Sequence, residues 1–88
     1  MSVVHLLSNA SSLSSCLKNI EQDDALLLLG NGVFAAYDEK IKGIGVPIAA
    51  IDEDAVSRGV QLMPYVQPVS YEEFVGLVVK HDSSVSWT

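Results

Sequence analysis

The segment Ala25-Leu26-Leu27-Leu28-Leu29, closed by Gly30-Asn31-Gly32, decides the fold. It shows no polar alternation, and the acidic turn Glu21-Gln22-Asp23-Asp24 bounds it on the other side. Leucine favours helix, but five residues between two turns are too few for a useful one. A strand buried on both faces fits instead, and such strands belong to parallel sheets sandwiched by helices. Pro47-Ile48-Ala49-Ala50-Ile51 reads the same way, with proline tolerated at strand entry.

Outward from this run, helical and extended patterns alternate. Val3-Val4-His5-Leu6-Leu7 is a short β-branched and aliphatic strand. Leu13, Cys16, Leu17 and Ile20 then share one helical face. The Gly30-Asn31-Gly32 turn leads into a second short helix, Val33-Phe34-Ala35-Ala36-Tyr37, which Asn31 or a neighbour can cap, and residues 38–45 read as a loop. Asp52-Glu53-Asp54 places carboxylates at a helix start, where capping and the dipole account for them, and Arg58 and Gly59 suit its end. A fourth strand is expected near Tyr65-Val66-Gln67. Ser70-Tyr71-Glu72-Glu73 is a capping box, with Val69 placed to staple against Phe74. Val85 and Trp87 alternate as in a strand. The expectation is a single domain over residues 1–88, an α/β three-layer α/β/α sandwich with a mostly parallel sheet of four to five strands, flavodoxin-like. Strand order does not follow from these patterns.

Composition limits what such a domain can do. At this size the folded chain should expose roughly 5,000 Å² of about 13,600 Å² unfolded. With 49% hydrophobic and only 18% charged residues, some of that exterior must be apolar, which points to an oligomer or an obligate partner. Eleven Asp and Glu against five Lys and Arg give a net charge of −6, which speaks against direct nucleic-acid binding by this chain. One cysteine excludes an internal disulfide, and with two histidines it cannot close an ordinary zinc site, so no metal or cofactor is expected. Met1-Ser2-Val3-Val4-His5 lacks a basic leader, and no apolar stretch nears the ~20 residues of a membrane span, so the expected location is the cytoplasm.

Few residues carry potential chemistry. Cys16 is the single sulfur nucleophile and a candidate persulfide carrier, but its place on the apolar stripe is that of a structural cysteine. His5, inside a strand, could orient a ligand or be a satisfied core histidine. Gly30-Asn31-Gly32 invites a phosphate-loop reading, and with it a homo-oligomeric module for a small anionic ligand. It lacks the third glycine of a dinucleotide fingerprint, and a tight turn explains it as well. Tyr65, Tyr71 and Trp87 are the candidate interface aromatics, Trp87 first among them.

Taken in order, these pieces resemble the TusB/DsrH family of sulfur-relay subunits. The likeness rests on Val4-His5-Leu6, the segment Asp23 to Leu29, Asn31-Gly32-Val33-Phe34-Ala35-Ala36, Glu53-Asp54 with Arg58-Gly59, Tyr71 with Phe74, Val79-Lys80-His81, and a tryptophan near the C-terminus. The resemblance implies a DsrEFH-like fold and a heterohexamer holding two copies each of this chain and of TusC/DsrF-like and TusD/DsrE-like paralogues. It implies persulfide relay through a TusE-like carrier toward 2-thiolation of tRNA wobble uridine, with this chain an accessory rather than a lone catalyst. The alternative branch is intracellular sulfur oxidation, in which Cys16 matches a first-helix cysteine of DsrH-type members. The chain could also associate with itself when alone.

Overall fold

Burial divides the leucine run between two cores. Leu26 and Leu28 join one hydrophobic cluster and Ala25 and Leu27 the other, all of them buried. Alternate residues of a strand point to opposite faces, so the run is apolar throughout because both faces are covered. The computed structural model describes residues 2–88. Among them, β1 (Val3–Asn9), β2 (Ala25–Asn31), β3 (Ile48–Ile51), β4 (Gln67–Val69) and β5 (Ser83–Trp87) form one sheet in the order β4-β3-β2-β1-β5. Every neighbouring pair is parallel.

The order explains the layers. The connections β1–β2, β2–β3 and β3–β4 step in one direction and so leave their helical segments on one face. That face carries α1 (Leu13–Leu17), α2 (Asp52–Ser57) and 3₁₀ turns at Ala10–Ser12, Gly32–Tyr37 and Glu39–Ile41. Leu13, Cys16, Val33, Ile41 and Ala55 from these segments pack on Leu7, Leu26 and Leu28. The last connection runs back across the sheet and puts α3 (Tyr71–Lys80) on the other face, where Phe74, Leu77 and Val78 cover Val4, Leu27, Ile51 and Val69. This is the expected three-layer α/β sandwich, with β5 completing the sheet at Val85 and Trp87.

Local chemistry sets the ends of the elements. Ser70 accepts from the Glu73 N–H at 3.1 Å while Glu73 accepts from the Ser70 N–H at 2.9 Å, the reciprocal box read from the sequence. Val69 and Phe74 meet as the staple requires. Gly59 takes φ 67 just past α2. Gly32 is required by close approach, since a Cβ there would lie 1.8 Å from the Leu7 carbonyl oxygen.

Four expectations are corrected. The first helix is a 3₁₀ turn followed by a five-residue α1 that stops at Leu17, so Ile20 packs from the following turn. Asn31 does not cap the segment after it, which is 3₁₀; its Oδ1 accepts from Arg58 Nε at 2.9 Å. Residues 38–45 hold a capped 3₁₀ turn, with Asp38 accepting from the Lys40 N–H, because the fully buried Ile41 pins it to the core. Finally, β4 lies at Gln67–Val69 and not at Tyr65–Gln67. Tyr65 sits in the preceding turn, and Pro68 is accommodated because β4 is an edge strand.

Candidate functional site

In an open parallel sheet, ligand crevices form at the carboxyl ends of adjacent strands whose connections depart to opposite faces. Here those strands are β3 and β4, followed by α2 on one face and α3 on the other. A groove of about 430 Å³ opens there, lined by Asp52, Glu53, Pro68, Val69, Ser70, Tyr71 and Glu73. Three carboxylates and no cation, thiol or imidazole stand in that lining. The groove suits hydrogen-bond donors and positive charge, and its lining offers no thiol to accept or pass on sulfur.

Behind the groove, Asp54 crosslinks three elements. Its carboxylate accepts from the Gly30 N–H at 2.8 Å and from the Tyr71 hydroxyl at 2.5 Å. Burial works to raise this carboxyl, but Tyr71, Gly30 and the nearby Arg58 guanidinium together hold it below the usual value. The Asp54 hydrogen bond in turn pushes the Tyr71 hydroxyl up. Capping and dipole were the expected role of the whole Asp52–Asp54 cluster. The residue before α2, Ile51, makes no side-chain cap, and Asp54 instead ties the end of β2 to the start of α3.

Cys16 is far from solvent. Its side chain is fully buried in the cluster with Leu13 and Val33, and burial pushes the thiol up to about 11. A persulfide carrier needs an accessible thiolate, and neither condition is met in this conformation.

His5 is equally enclosed, in a chain of polar groups that crosses the sheet. Trp87 Nε1 donates to His5 Nδ1 at 3.1 Å, and His5 Nε2 lies 2.9 Å from Asp24 Oδ2. Asp24 also accepts from the N–H groups of Val3 and Glu21. Burial works to raise the Asp24 carboxyl, but the Glu21 N–H, His5 and the Val3 N–H outweigh it and hold the group low. Thus Trp87 anchors on its own chain, Tyr71 lines the groove and is partly open to solvent, and Tyr65 is exposed and not part of the groove lining. Of Cys16, Tyr65, Tyr71 and Trp87, the structure places Cys16 and Trp87 on one hydrophobic cluster, with Trp87 packed at its margin, and leaves Tyr65 and Tyr71 outside it. The His5–Asp24 pairing escaped the sequence reading; the only hint was a single histidine in an otherwise aliphatic strand, with an aspartate at the start of its neighbour.

Among the described residues, no group of three or more His, Cys, Asp or Glu could hold a metal ion, and no helix is long and apolar enough to cross a membrane. The total exposed area of 5112 Å² is ordinary for the mass, so the apolar surplus shows in what the surface is made of. On α3 the outward residues Tyr71, Val75 and Val79 form an i, i+4, i+8 stripe, with Val79 77% exposed.

A family model described as "DsrH like protein" matches residues 8–84. The chain belongs to the DsrH-like family. It is 33% identical over 84 residues to Protein TusB of Shigella flexneri, covering 88% of each chain, and equally so to Protein TusB of Escherichia coli O139:H28. The fold of this DsrH-like chain also matches solved structures. The ychN protein from E. coli superposes with a TM-score of 0.74 at 17% identity, covering 99% of this chain and all of that one. Protein Tm0979 from Thermotoga maritima does so at 0.62 and 26% identity, covering 90% and 92%. Family membership makes this a sulfur-relay subunit of the Tus and Dsr kind, in agreement with the order of motifs from Val4 to the C-terminal tryptophan.

Proposed function

We propose that this DsrH-like chain is an accessory, cytoplasmic subunit of a persulfide-relay complex that serves 2-thiolation of tRNA wobble uridine. It enters a heterohexamer beside TusC-like and TusD-like paralogues, which hand sulfur to a TusE-like carrier. The observation that carries this reading is the groove between α2 and α3. The place where a sheet of this class puts its chemistry holds Asp52, Glu53 and Glu73 and no thiol, while the chain's one cysteine is sealed in the core. Sulfur transfer therefore falls to the partners, and this chain contributes shape and contact surface. The relatives named Protein TusB favour the tRNA branch over sulfur oxidation.

The Tyr71, Val75 and Val79 stripe is the contact surface this reading assigns to the paralogues. Co-expression with TusC-like and TusD-like chains should yield a stable stoichiometric complex. Val75→Lys with Val79→Lys should abolish co-purification while leaving the circular dichroism spectrum intact, since both side chains point to solvent. Failure of the unaltered chain to co-purify would overturn the assignment.

A further inference from the structure

The two edges of the sheet are built differently. β4 is three residues long and contains Pro68, which has no N–H to offer a new strand. β5 is five residues long, Ser83-Ser84-Val85-Ser86-Trp87, with no charge, proline or bulge, and it pairs only with β1 among the described residues. Its first four residues are exposed. Natural sheets normally protect an edge of this kind with one of the devices that β5 lacks.

We propose that β5 is a self-pairing edge, joining two copies of the chain by an antiparallel β5–β5′ contact about a two-fold axis at Val85. The register follows from the hydrogen bonds already made. The Ser83 N–H turns inward, to the Ser2 carbonyl at 3.3 Å, and the Trp87 carbonyl also faces β1, accepting from the Ser8 hydroxyl. Strand alternation therefore turns the backbone N–H and C=O of Ser84 and Ser86 outward. A two-fold axis at Val85 sets Ser84 opposite Ser86 of the second copy and Ser86 opposite its Ser84. Both pairs can then exchange N–H and C=O bonds in the antiparallel pattern. Val85, 40% exposed, meets its own copy as the closer, non-hydrogen-bonded pair. Asp82 would face Thr88 across the axis, and its carboxylate is already occupied by the Ser2 N–H at 2.9 Å.

The second copy is the occupant that fits. A head-to-tail contact of β5 with another chain's β4 would meet Pro68, whereas β5 is complementary to itself in length, neutrality and donor–acceptor register. Such an isologous contact closes at two chains and leaves α3 free, so it is independent of the relay reading.

Sedimentation equilibrium of the isolated chain over a concentration series, together with amide exchange resolved by residue, tests the proposal. A monomer–dimer equilibrium is expected, with exchange at the Ser84 and Ser86 amides slowing as the dimer fills. Val85→Lys, which sets like charges directly opposite one another, should return the chain to monomer with its fold intact by circular dichroism. Ser86→Pro, which removes one outward N–H and no bond to β1, should do the same. A chain that stays monomeric throughout, or a dimer that survives Val85→Lys with the Ser84 and Ser86 amides still exchanging freely, would overturn it. Dimerisation that appears only with a paralogue present would also overturn it.

Discussion

The indole of Trp87 and the imidazole of His5 lie nearly parallel, 6.2 Å between centroids and 18° between planes, with Trp87 Nε1 donating to His5 Nδ1 at 3.1 Å. An indole nitrogen can only donate, so His5 Nδ1 must accept, and the ring carries its hydrogen on Nε2, toward Asp24. One polar chain thereby connects the C-terminal strand, the first strand and the turn before β2. It satisfies each member: among the described residues, no buried side-chain nitrogen or oxygen lacks a partner.

Removing the end of that chain should cost more than the lost surface. Trp87→Phe keeps an aromatic ring against His5 but leaves Nδ1 without a donor. Urea unfolding followed by circular dichroism should show a loss of about 1–3 kcal/mol, the usual penalty for an orphaned buried acceptor. Asp24→Asn tests the other end. The folded state holds the Asp24 carboxyl below its ordinary value, so the unfolded chain takes up the extra proton first in acid. The stability Asp24 contributes is then complete above the ordinary carboxylate range and is lost as pH falls through the lower folded value. Asp24→Asn should flatten that acid limb and lower stability at neutral pH. An acid limb as steep as that of the unaltered chain would disprove the assignment.

Cys16 should behave as a core side chain. A thiol reagent should label it slowly in buffer and rapidly in urea, and incubation with a cysteine desulfurase and cysteine should leave its mass unchanged. Its alkaline signature has the opposite sign from Asp24. The folded thiol keeps its proton up to about 11, while the unfolded one loses it near its ordinary value of about 8.5. Stability is unaffected below that ordinary value and declines as pH rises toward the folded one. Cys16→Ala should remove this decline. Prompt labelling in buffer, or a mass gain of one sulfur atom, would restore the persulfide-carrier reading.

What the sequence made legible was local. The Ala25–Leu29 run declared a doubly covered strand, Ser70 with Glu73 declared a helix start, and the alternation of Val85 and Trp87 marked a fifth strand. What stayed hidden depends on residues distant in sequence. His5 and Trp87 are 82 positions apart and Asp54 and Tyr71 are 17 apart, in different elements, so no helical or strand period relates either pair. β4 was displaced because Tyr65-Val66-Gln67 has the better strand propensity, while register against β3, where Ala49 meets Gln67 and Ile51 meets Val69, decides the pairing. The acids at the start of α2 showed the same limit. Capping explains such a cluster locally, but Asp54 is spent on Gly30 and Tyr71.

Two glycines should respond oppositely to the same substitution. At Gly32 an added methyl would sit 1.8 Å from the Leu7 carbonyl oxygen, a backbone atom that cannot rotate away. Gly32→Ala should therefore cost about 3 kcal/mol or more, at or beyond the upper end of ordinary overpacking, and urea midpoints would show it. Gly76 lies inside α3, where an added methyl meets nothing within 4 Å. Gly76→Ala should stabilise by about 0.5–1 kcal/mol through helix propensity alone. Equal effects at the two positions would contradict the close approach of Gly32 to β1.

Tyr71 gives the last test because two roles meet in it. Its hydroxyl donates to Asp54 at 2.5 Å, while its ring begins the apolar stripe on α3. Tyr71→Phe separates them, keeping the ring and deleting the donor. Asp54 then loses the largest of the contacts that lower its carboxyl, so its folded value should rise. The acid limb of stability should keep its onset, which the unfolded carboxyl sets, but end at higher pH with a smaller total loss, because less separates the folded value from the unfolded one. Co-purification with the paralogues should survive, since the apolar contact is intact. Tyr71→Ser removes ring and hydroxyl reach together and should weaken both. If Tyr71→Phe instead abolished assembly with an unchanged acid limb, the hydroxyl would be a partner contact and its bond to Asp54 incidental.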